Sequence, residues 1–214
     1  MSYGADAQSA AVDLVVLSHA HEDHFDQAAE QQLPRNMPLV APSHDAQKMQ
    51  EKGFSALTSR AWNESVSYQA GAGTVTFTAV LAHHSGDASI DPLLGLGNGY
   101  WIDVTQGDWK KTLYWTGDTL AAEDVIQAVR ARGPLDILMP HLGRVGTPGP
   151  LGKISMGADA AVQLARALSP TKVVPIHHSS YVLYLEPIDR LVTQSQGAHY
   201  GLDLISEGSR LLYR

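Results

Sequence analysis

The sequence has no cysteine. This absence excludes disulfide bonds, thiolate metal ligands and a cysteine nucleophile, although it leaves the redox compartment open. Clusters of Lys and Arg are also absent, and the formal net charge is -7. Because binding to phosphate backbones requires clustered basic residues, we expect no nucleic-acid partner.

Long apolar runs are missing as well. No segment approaches the roughly 20 apolar residues of a membrane-spanning helix. The opening residues, MSYGADAQSA, have neither the basic region nor the apolar core of a signal peptide. We therefore expect a cytoplasmic protein without a membrane span.

The composition is that of a folded chain. Of its 214 residues, 44% are hydrophobic and 17% are charged, which is enough apolar material for a sizeable core. No repeat and no linker divides the sequence. We expect a single domain over residues 1–214.

Apolar and turn patterns predict strands that alternate with helices in the outer parts of the chain, and antiparallel strands in its middle. The predicted strands are VDLVVL, PLVAP, two strands within SVSYQAGAGTVTFTAVLAHH, GYWIDVT, KKTLYWTGDT, DILMP, KVVPI, and a final strand or hairpin in GLDLIS and SRLLYR. The predicted helices cover residues 26–33, a segment from a Ser43 cap to Lys52 closed by Gly53, and residues 121–132, 157–168 and 187–196. This order predicts a layered α/β fold in which helices cover sheet.

Titratable residues follow the predicted strands. A lone His at a strand end is usually a surface residue or one whose ring is satisfied by neighbours, but the segment HAHEDH puts three His and one Asp into six positions. Because sites gather at the carboxyl ends of strands, these side chains are expected to share one point. Imidazole and carboxylate ligands suit zinc and related cations. The residues concerned are His19, His21, Asp23, His24, His83, His84, Asp118, His141, His177 and His178.

Four motifs, HAHEDH, AHHS, GDT and PIHH, occur in the order typical of one family. The sequence resembles the metallo-β-lactamase-fold metal-dependent hydrolase superfamily over nearly its whole length. Within it, the sequence is most similar to the branch of the L-ascorbate-6-phosphate lactonases and the N-acyl-phosphatidylethanolamine phospholipase D enzymes. The resemblance implies a four-layer αββα fold and two divalent metal ions, with zinc expected first and manganese as the alternative.

The resemblance also implies a ligand set. One metal would be bound by His19, His21 and His84, and the other by Asp23, His24 and His177, with Asp118 bridging the two. His84 is preferred to His83 because the family ligand directly precedes the serine, and His177 to His178 because the ligand stands two places after the proline. The missing cysteine argues against the β-lactamase subclass that uses one.

The short segment before His19 departs from the family pattern. Family members normally have two or more strands before the first motif, so the N-terminal strands are expected to be missing or short here. The alternatives are a longer native chain, a homo-oligomer in which a partner covers the exposed edge, and a rearranged N-terminus.

Three functions remain open. The first is a hydrolase that uses a metal-bound hydroxide on a small, anionic ester, lactone or phosphodiester, with Asp23 orienting or deprotonating the nucleophile and His141 donating to the oxyanion or leaving group. Arg144 and Lys153, on a Gly/Pro loop, are candidate substrate contacts. The second is an iron-dependent, dioxygenase-like oxidoreductase; the diiron flavoprotein branch is disfavoured because it has a carboxylate at the position of His21. The third is a non-catalytic metal-binding relative, although such relatives usually lose ligands.

Overall fold

A computed structural model describes residues 12–146, 149–206 and 209–213. The described strands are β1 (Val15–Val16), β2 (Leu39–Pro42), β3 (Leu57–Arg60), β4 (Ser65–Ala70), β5 (Gly73–Leu81), β6 (Asn98–Gln106), β7 (Trp109–Trp115), β8 (Ile137–Met139), β9 (Lys172–Val173) and β10 (Gly201–Leu202). The helices are α1 (Gln27–Gln32), α2 (Ala46–Glu51), α3 (Asp91–Leu94), α4 (Glu123–Arg130), α5 (Ala158–Leu168) and α6 (Asp189–Gln194), and a 3-10 helix covers Ser43–Asp45.

The strands form two sheets. The smaller sheet is parallel, in the order β1-β2-β3, and the larger has the order β10-β9-β8-β7-β6-β5-β4. Strands β4 to β7 pair antiparallel, whereas β7 to β10 pair parallel. Within the described residues β1 has a strand partner on one side only, the other side being an edge. The carboxyl ends of β1, β5, β7 and β8 lead into the loops that contain the titratable residues.

Three apolar clusters separate four layers. One cluster lies between the two sheets and contains Val40, Ala79 and Tyr100. A second packs β2 against α1 and α2, and a third packs the larger sheet against α4 and α5. Successive residues of β6, Tyr100 and Trp101, belong to different clusters because side chains alternate across a strand. The predicted α/β, four-layer fold is therefore confirmed.

Three details differ from the sequence-based expectations. Ser43 does not cap α2, because it opens the 3-10 helix, and neither helix start there has a side-chain cap. Strand β3 was not predicted, since its alternating residues are all half-buried rather than clearly apolar and polar. The final hairpin is represented by β10 alone; residues 207–208 and 214 lie outside the described part, and residues 209–213 form no strand. Helix α1 begins as expected, with Asp26 accepting from the amide of Ala29.

No helix in the described part of the chain is long and apolar enough to cross a membrane.

Candidate metal centre

Three imidazoles converge in a first group. Nε2 of His19, Nδ1 of His21 and Nε2 of His84 form a triangle with sides of 3.0, 3.2 and 3.2 Å. Ligand atoms about 2.0–2.1 Å from a tetrahedral zinc ion lie about 3.3 Å apart. The triangle therefore has the dimensions of three corners of such a site, and the fourth corner remains for another ligand.

A second group lies beside the first. Nε2 of His177 is 3.1 Å from Nε2 of His24 and 3.2 Å from Oδ2 of Asp23. Nε2 of His24 is 3.7 Å from the same oxygen of Asp23. The turn that makes this possible is local, because the amides of His24 and Phe25 both donate to the carbonyl of His21 and so reverse the chain after the first two ligands.

Asp118 lies between the two groups. Its Oδ2 is 3.4 Å from Nε2 of His24 and 3.8 Å from Nε2 of His84, so one carboxylate oxygen approaches both. The preceding residue, Gly117, has φ +58°, and a Cβ there would lie 2.5 Å from the carbonyl oxygen of Asn98. A glycine is required at this turn, which explains why GDT places the carboxylate where it does.

The outer nitrogens of the ligand rings have partners that orient the inner ones. Nδ1 of His84 donates to the carbonyl of Ile154 at 2.6 Å, and Nδ1 of His177 donates to the carbonyl of Leu142 at 2.9 Å. Each Nε2 then presents a lone pair to the centre, as a metal ligand does. His177 itself has φ +60°, a conformation that is costly for a residue with a Cβ, and such strain is typical of functional positions.

The electrostatics of the groups also suit a cation. Burial lowers the pKa of His19 well below its usual range, and burial likewise lowers that of His21, so both rings are neutral near pH 7. Burial alone would raise the pKa of Asp118, but hydrogen bonds with His141 and His24 outweigh it and lower the pKa well below its usual range. Ionised carboxylate and neutral imidazole are the forms that bind zinc and related divalent ions. The residues present therefore fit two such ions.

The neighbouring histidines of both pairs lie outside these groups. The two ring nitrogens of His83 contact Oδ2 of Asp91 at 2.9 Å and Oδ2 of Asp124 at 2.7 Å. Nδ1 of His178 instead contacts the hydroxyl of Ser179 at 2.6 Å. The choice of His84 and His177 as ligands thus agrees with the positions of the four rings.

His141 is buried and has both nitrogens occupied by protein groups. Its Nδ1 is 2.9 Å from Oδ1 of Asp118, and the indole Nε1 of Trp115 donates to its Nε2 at 2.5 Å. Burial lowers the pKa of His141 to about 4, so the ring is neutral. Both ring nitrogens thus have protein partners, and the ring lies in one cluster with His24, Asp118 and His177. The donor role of His141 towards an oxyanion or leaving group stays a prediction.

The predicted substrate cations lie on the loop after β8. The guanidinium of Arg144 is 3.1 Å from Oε1 of the buried Glu186, an oxygen that Nε of Arg190 also approaches at 3.4 Å. Lys153 directly precedes Ile154, whose carbonyl accepts from His84. The loop thus contributes to the first group through its backbone, and residues 147–148 of it lie outside the described residues.

Two features near the centre were missed by the sequence reasoning. The ring of Tyr184 lies 4.2 Å from that of His177, on a loop with no regular pattern. His44 and Lys48 line a cavity of about 300 Å³ together with His19 and His21. Tyr184 follows His177 by seven residues but lies outside any motif, and His44 and Lys48 come from the segment after the PLVAP strand, more than 20 positions after His21.

Known proteins resemble the chain in both sequence and structure. A UPF0173 metal-dependent hydrolase from Pyrococcus horikoshii is 26% identical over 172 residues, which cover 79% of this chain and 68% of that protein. The crystal structure of an isothiocyanate hydrolase from Delia radicum gut bacteria has a TM-score of 0.78 and 25% identity, covering 95% of this chain and 77% of the other. CmlA, a diiron β-hydroxylase from Streptomyces venezuelae, shares the fold at 15% identity and a TM-score of 0.63, covering 91% of this chain and 44% of the other.

The family model described as a β-lactamase superfamily domain matches residues 3–178. This match covers most of the chain and all four motifs, and it agrees with the layered fold. The chain belongs to the β-lactamase superfamily and has the metallo-β-lactamase fold that its motifs predicted.

Proposed function

We propose that the protein is a metal-dependent hydrolase with two divalent ions, most simply zinc. The observation that carries this proposal is the pair of ligand groups that share Asp118, whose Oδ2 lies 3.4 Å from His24 and 3.8 Å from His84. The names of relatives such as the Pyrococcus horikoshii hydrolase support the same reaction class. Two such ions, when bound, supply an activated water and polarise a substrate oxygen.

Asp23 is the proposed proton acceptor of the chain. Burial would raise its pKa, but the hydrogen bond with His177 and the nearby His24 outweigh this and lower it, so Asp23 is a carboxylate at neutral pH. Its side chain is 17% exposed against 4% for Asp118, and it is therefore the more accessible carboxylate. This position allows Asp23 both to bind a metal and to orient water or take its proton.

Tyr184 is the proposed proton donor, in the role first expected of His141. Its ring packs between His177 and Gly143; a Cβ at Gly143 would lie 2.9 Å from Cδ1 of the tyrosine, so the glycine makes room for the ring. Burial and the negative charges of Asp23 and Asp118 raise the pKa of Tyr184, so the phenol stays protonated. A neutral phenol beside a metal centre can donate to a developing oxyanion or to a leaving group.

The substrate is proposed to be a small ester, lactone or phosphodiester with an anionic group. The cavity beside the first ligand group, about 300 Å³, is large enough for a small molecule only. Lys48 lines it, and its ammonium donates to the carbonyl of Ala20 between His19 and His21. Lys48 is the cation that lines this cavity, whereas Arg144 pairs with Glu186. Lys153, which directly precedes Ile154, remains a candidate contact.

Isothiocyanates are a second substrate class to be tested. The isothiocyanate hydrolase is a structural neighbour over 95% of this chain, and hydrolysis of its substrate also needs water directed at an electrophilic carbon. Exposed apolar side chains on both flanks of the centre, including Leu93 and Leu185, would suit an apolar substituent. The likeness to CmlA at 15% identity shows the fold alone. It therefore gives no support to an iron-dependent oxidation, which only a finding of iron in the protein would favour.

The test is metal analysis followed by an activity screen. Protein reconstituted with zinc, manganese or iron(II) is assayed against lactones, phosphodiesters, thioesters, β-lactams and isothiocyanates, and Asp118→Asn is the matched inactive control. We expect hydrolysis of one class with zinc or manganese and none after chelation. Activity that survives chelation, or turnover that requires iron and O₂, would contradict the proposal.

A further inference from the structure

We propose that Trp115 and His141 form a hydrogen-bonded relay that fixes the orientation of the Asp118 carboxylate, with Oδ1 bonded to His141 and Oδ2 placed between His24 and His84. The relay rests on the proposed function and extends it, because it assigns a positioning role to Trp115 and to His141, whose ring lies in one cluster with His24, Asp118 and His177. The chain of contacts runs from the indole Nε1 of Trp115 to Nε2 of His141, and from Nδ1 of His141 to Oδ1 of Asp118, at 2.5 and 2.9 Å.

The tautomer of His141 follows from its two partners. An indole nitrogen can only donate a hydrogen bond, so Nε2 of His141 must accept and carries no proton. A neutral imidazole then has its proton on Nδ1, which donates to Oδ1 of Asp118. The ring is 3% exposed, so water does not compete with either contact.

This assignment separates the two oxygens of Asp118. Oδ1 accepts from His141 and is 3.7 Å from Nε2 of His177, whereas Oδ2 is near both His24 and His84. The hydrogen bond from His141 thus fixes the rotation of the carboxylate, which places Oδ2 between His24 and His84. Without this donor, the carboxylate would be free to rotate, and the position of Oδ2 between the two groups would no longer be fixed.

The relay is supported by rigid packing. His141 follows the carboxyl end of β8, and its amide donates to Oγ1 of Thr116 at 2.9 Å. The ring of Trp115 stacks on that of Tyr100, with centroids 5.6 Å apart and planes inclined by 21°. Trp115 is the last residue of β7, and His141 follows β8, which pairs with β7, so the two members of the relay are anchored by neighbouring strands of the larger sheet.

The first test determines the tautomer directly. Nitrogen-15 NMR of the histidine rings, with the His141 signals identified by comparison with His141→Asn, distinguishes protonated from unprotonated ring nitrogens in metal-free protein. We expect Nδ1 of His141 to be protonated and Nε2 not. A proton on Nε2 would overturn the relay. Because no metal is needed, this result stands even if the proposed hydrolase function fails.

The second test measures what the relay does for metal binding. Trp115→Phe keeps an aromatic ring against Tyr100 but removes the donor. Trp101→Phe is the matched control, since it removes a buried indole on the adjacent strand whose Nε1 donates to Asp103 at 3.0 Å, away from the centre. In titrations of metal-free protein with Co²⁺, followed by absorption and calorimetry, we expect Trp115→Phe to weaken the binding of at least one ion by about 10–100-fold, as for other outer partners of ligands. Trp101→Phe should leave both affinities unchanged.

Two substitutions of His141 complete the test. In His141→Asn the side-chain amide takes the place of Nδ1–H and can still donate to Asp118, whereas His141→Leu has similar bulk and no donor. We expect Asn to retain most of the Co²⁺ affinity and Leu to lose it, with the folded state of each checked by circular dichroism. Equal affinities for Asn and Leu, or a loss in Trp101→Phe as large as that in Trp115→Phe, would show that these residues act through general stability and would overturn the proposal.

Discussion

The chain contains two pairs of adjacent histidines, His83–His84 and His177–His178. In each pair the two rings differ in position although the residue type is the same. One ring of each pair lies in a ligand group, and its Nδ1 donates to a backbone carbonyl. The other ring turns away: His83 contacts two carboxylates, and His178 contacts the hydroxyl of Ser179. The residue type is therefore not what distinguishes a ligand here.

The difference lies in what each ring meets on its outer side. A carbonyl at Nδ1 leaves the Nε2 lone pair for a metal, whereas the carboxylates of Asp91 and Asp124 occupy both nitrogens of His83. Burial would lower the pKa of His83, but the hydrogen bonds with these two carboxylates outweigh burial and raise it. The comparison teaches that the partners around each ring, and not the residue type, distinguish His84 and His177 from their neighbours.

The largest effect on metal binding and activity is expected at Asp118, which one ring of each pair approaches. Asp118→Asn keeps the shape of the side chain but replaces the ionised carboxylate, so the ligand that both groups approach is lost. We expect loss of at least one ion and a fall in kcat/KM beyond the roughly 100-fold upper range for outer partners. Metal analysis by mass spectrometry and steady-state kinetics measure both. Full metal content with normal activity would remove Asp118 from the centre.

The first pair should respond unequally to alanine substitution. His84→Ala removes one of the three nitrogens of the first group and should reduce the metal content by about one ion per chain. His83→Ala should keep both ions and lose only stability, by about 1–3 kcal/mol, because it leaves the charged partners of one ring unsatisfied. Metal analysis and urea unfolding of the two variants provide the comparison; metal loss in His83→Ala but not in His84→Ala would reverse the assignment.

The second pair should repeat this pattern at the other metal. His177→Ala is expected to remove the ion of the second group and to leave the first, since His19, His21 and His84 remain. His178→Ala is the matched control and should bind both. A Co²⁺ titration monitors the two events. If His178→Ala were the variant that lost the ion, the two-residue spacing after Pro175 would be the wrong guide to the ligand.

The smallest effect on metal binding is expected from the aromatic neighbour of His177. Tyr184→Phe keeps the ring that packs against His177 and removes only the hydroxyl. We expect unchanged metal content and a fall in kcat of about 10²-fold, at the low end for general acid–base catalysis. The kinetics are to be measured on the substrate found in the screen. An unchanged kcat would show that the phenol is not the proton donor.

The candidate ligands could be proposed from the sequence because they follow apolar strands within a few residues. His19, His21, Asp23 and His24 share one turn, and short motifs determine such a turn locally. The layered fold followed from the same strands and from the order of the helices. These predictions needed no knowledge of which distant residues meet.

The contacts that the sequence did not predict involve residues outside the motifs. Nothing adjacent to His141 in the sequence indicates that Trp115, which lies 26 positions earlier, occupies its second nitrogen. Tyr184 lies in an irregular loop, and the pairing of Arg144 with Glu186 joins residues 42 positions apart. The apolar and polar periodicities of a sequence do not contain these contacts, so neither the neighbours of His141 and His177 nor the ion pair of Arg144 could be predicted from it.

The most direct test of the account is the number of ions in three proteins prepared identically: the wild type, His84→Ala and His177→Ala. Each is stripped with chelator, reconstituted with excess zinc, dialysed and analysed by mass spectrometry. We predict about two ions per chain in the wild type and about one in each variant, with the retained ion held by the group left intact. The account would be contradicted if the wild type bound a single ion and each of the two substitutions removed that ion. Such a result would mean that the residues form one metal site and not two ligand groups that share Asp118.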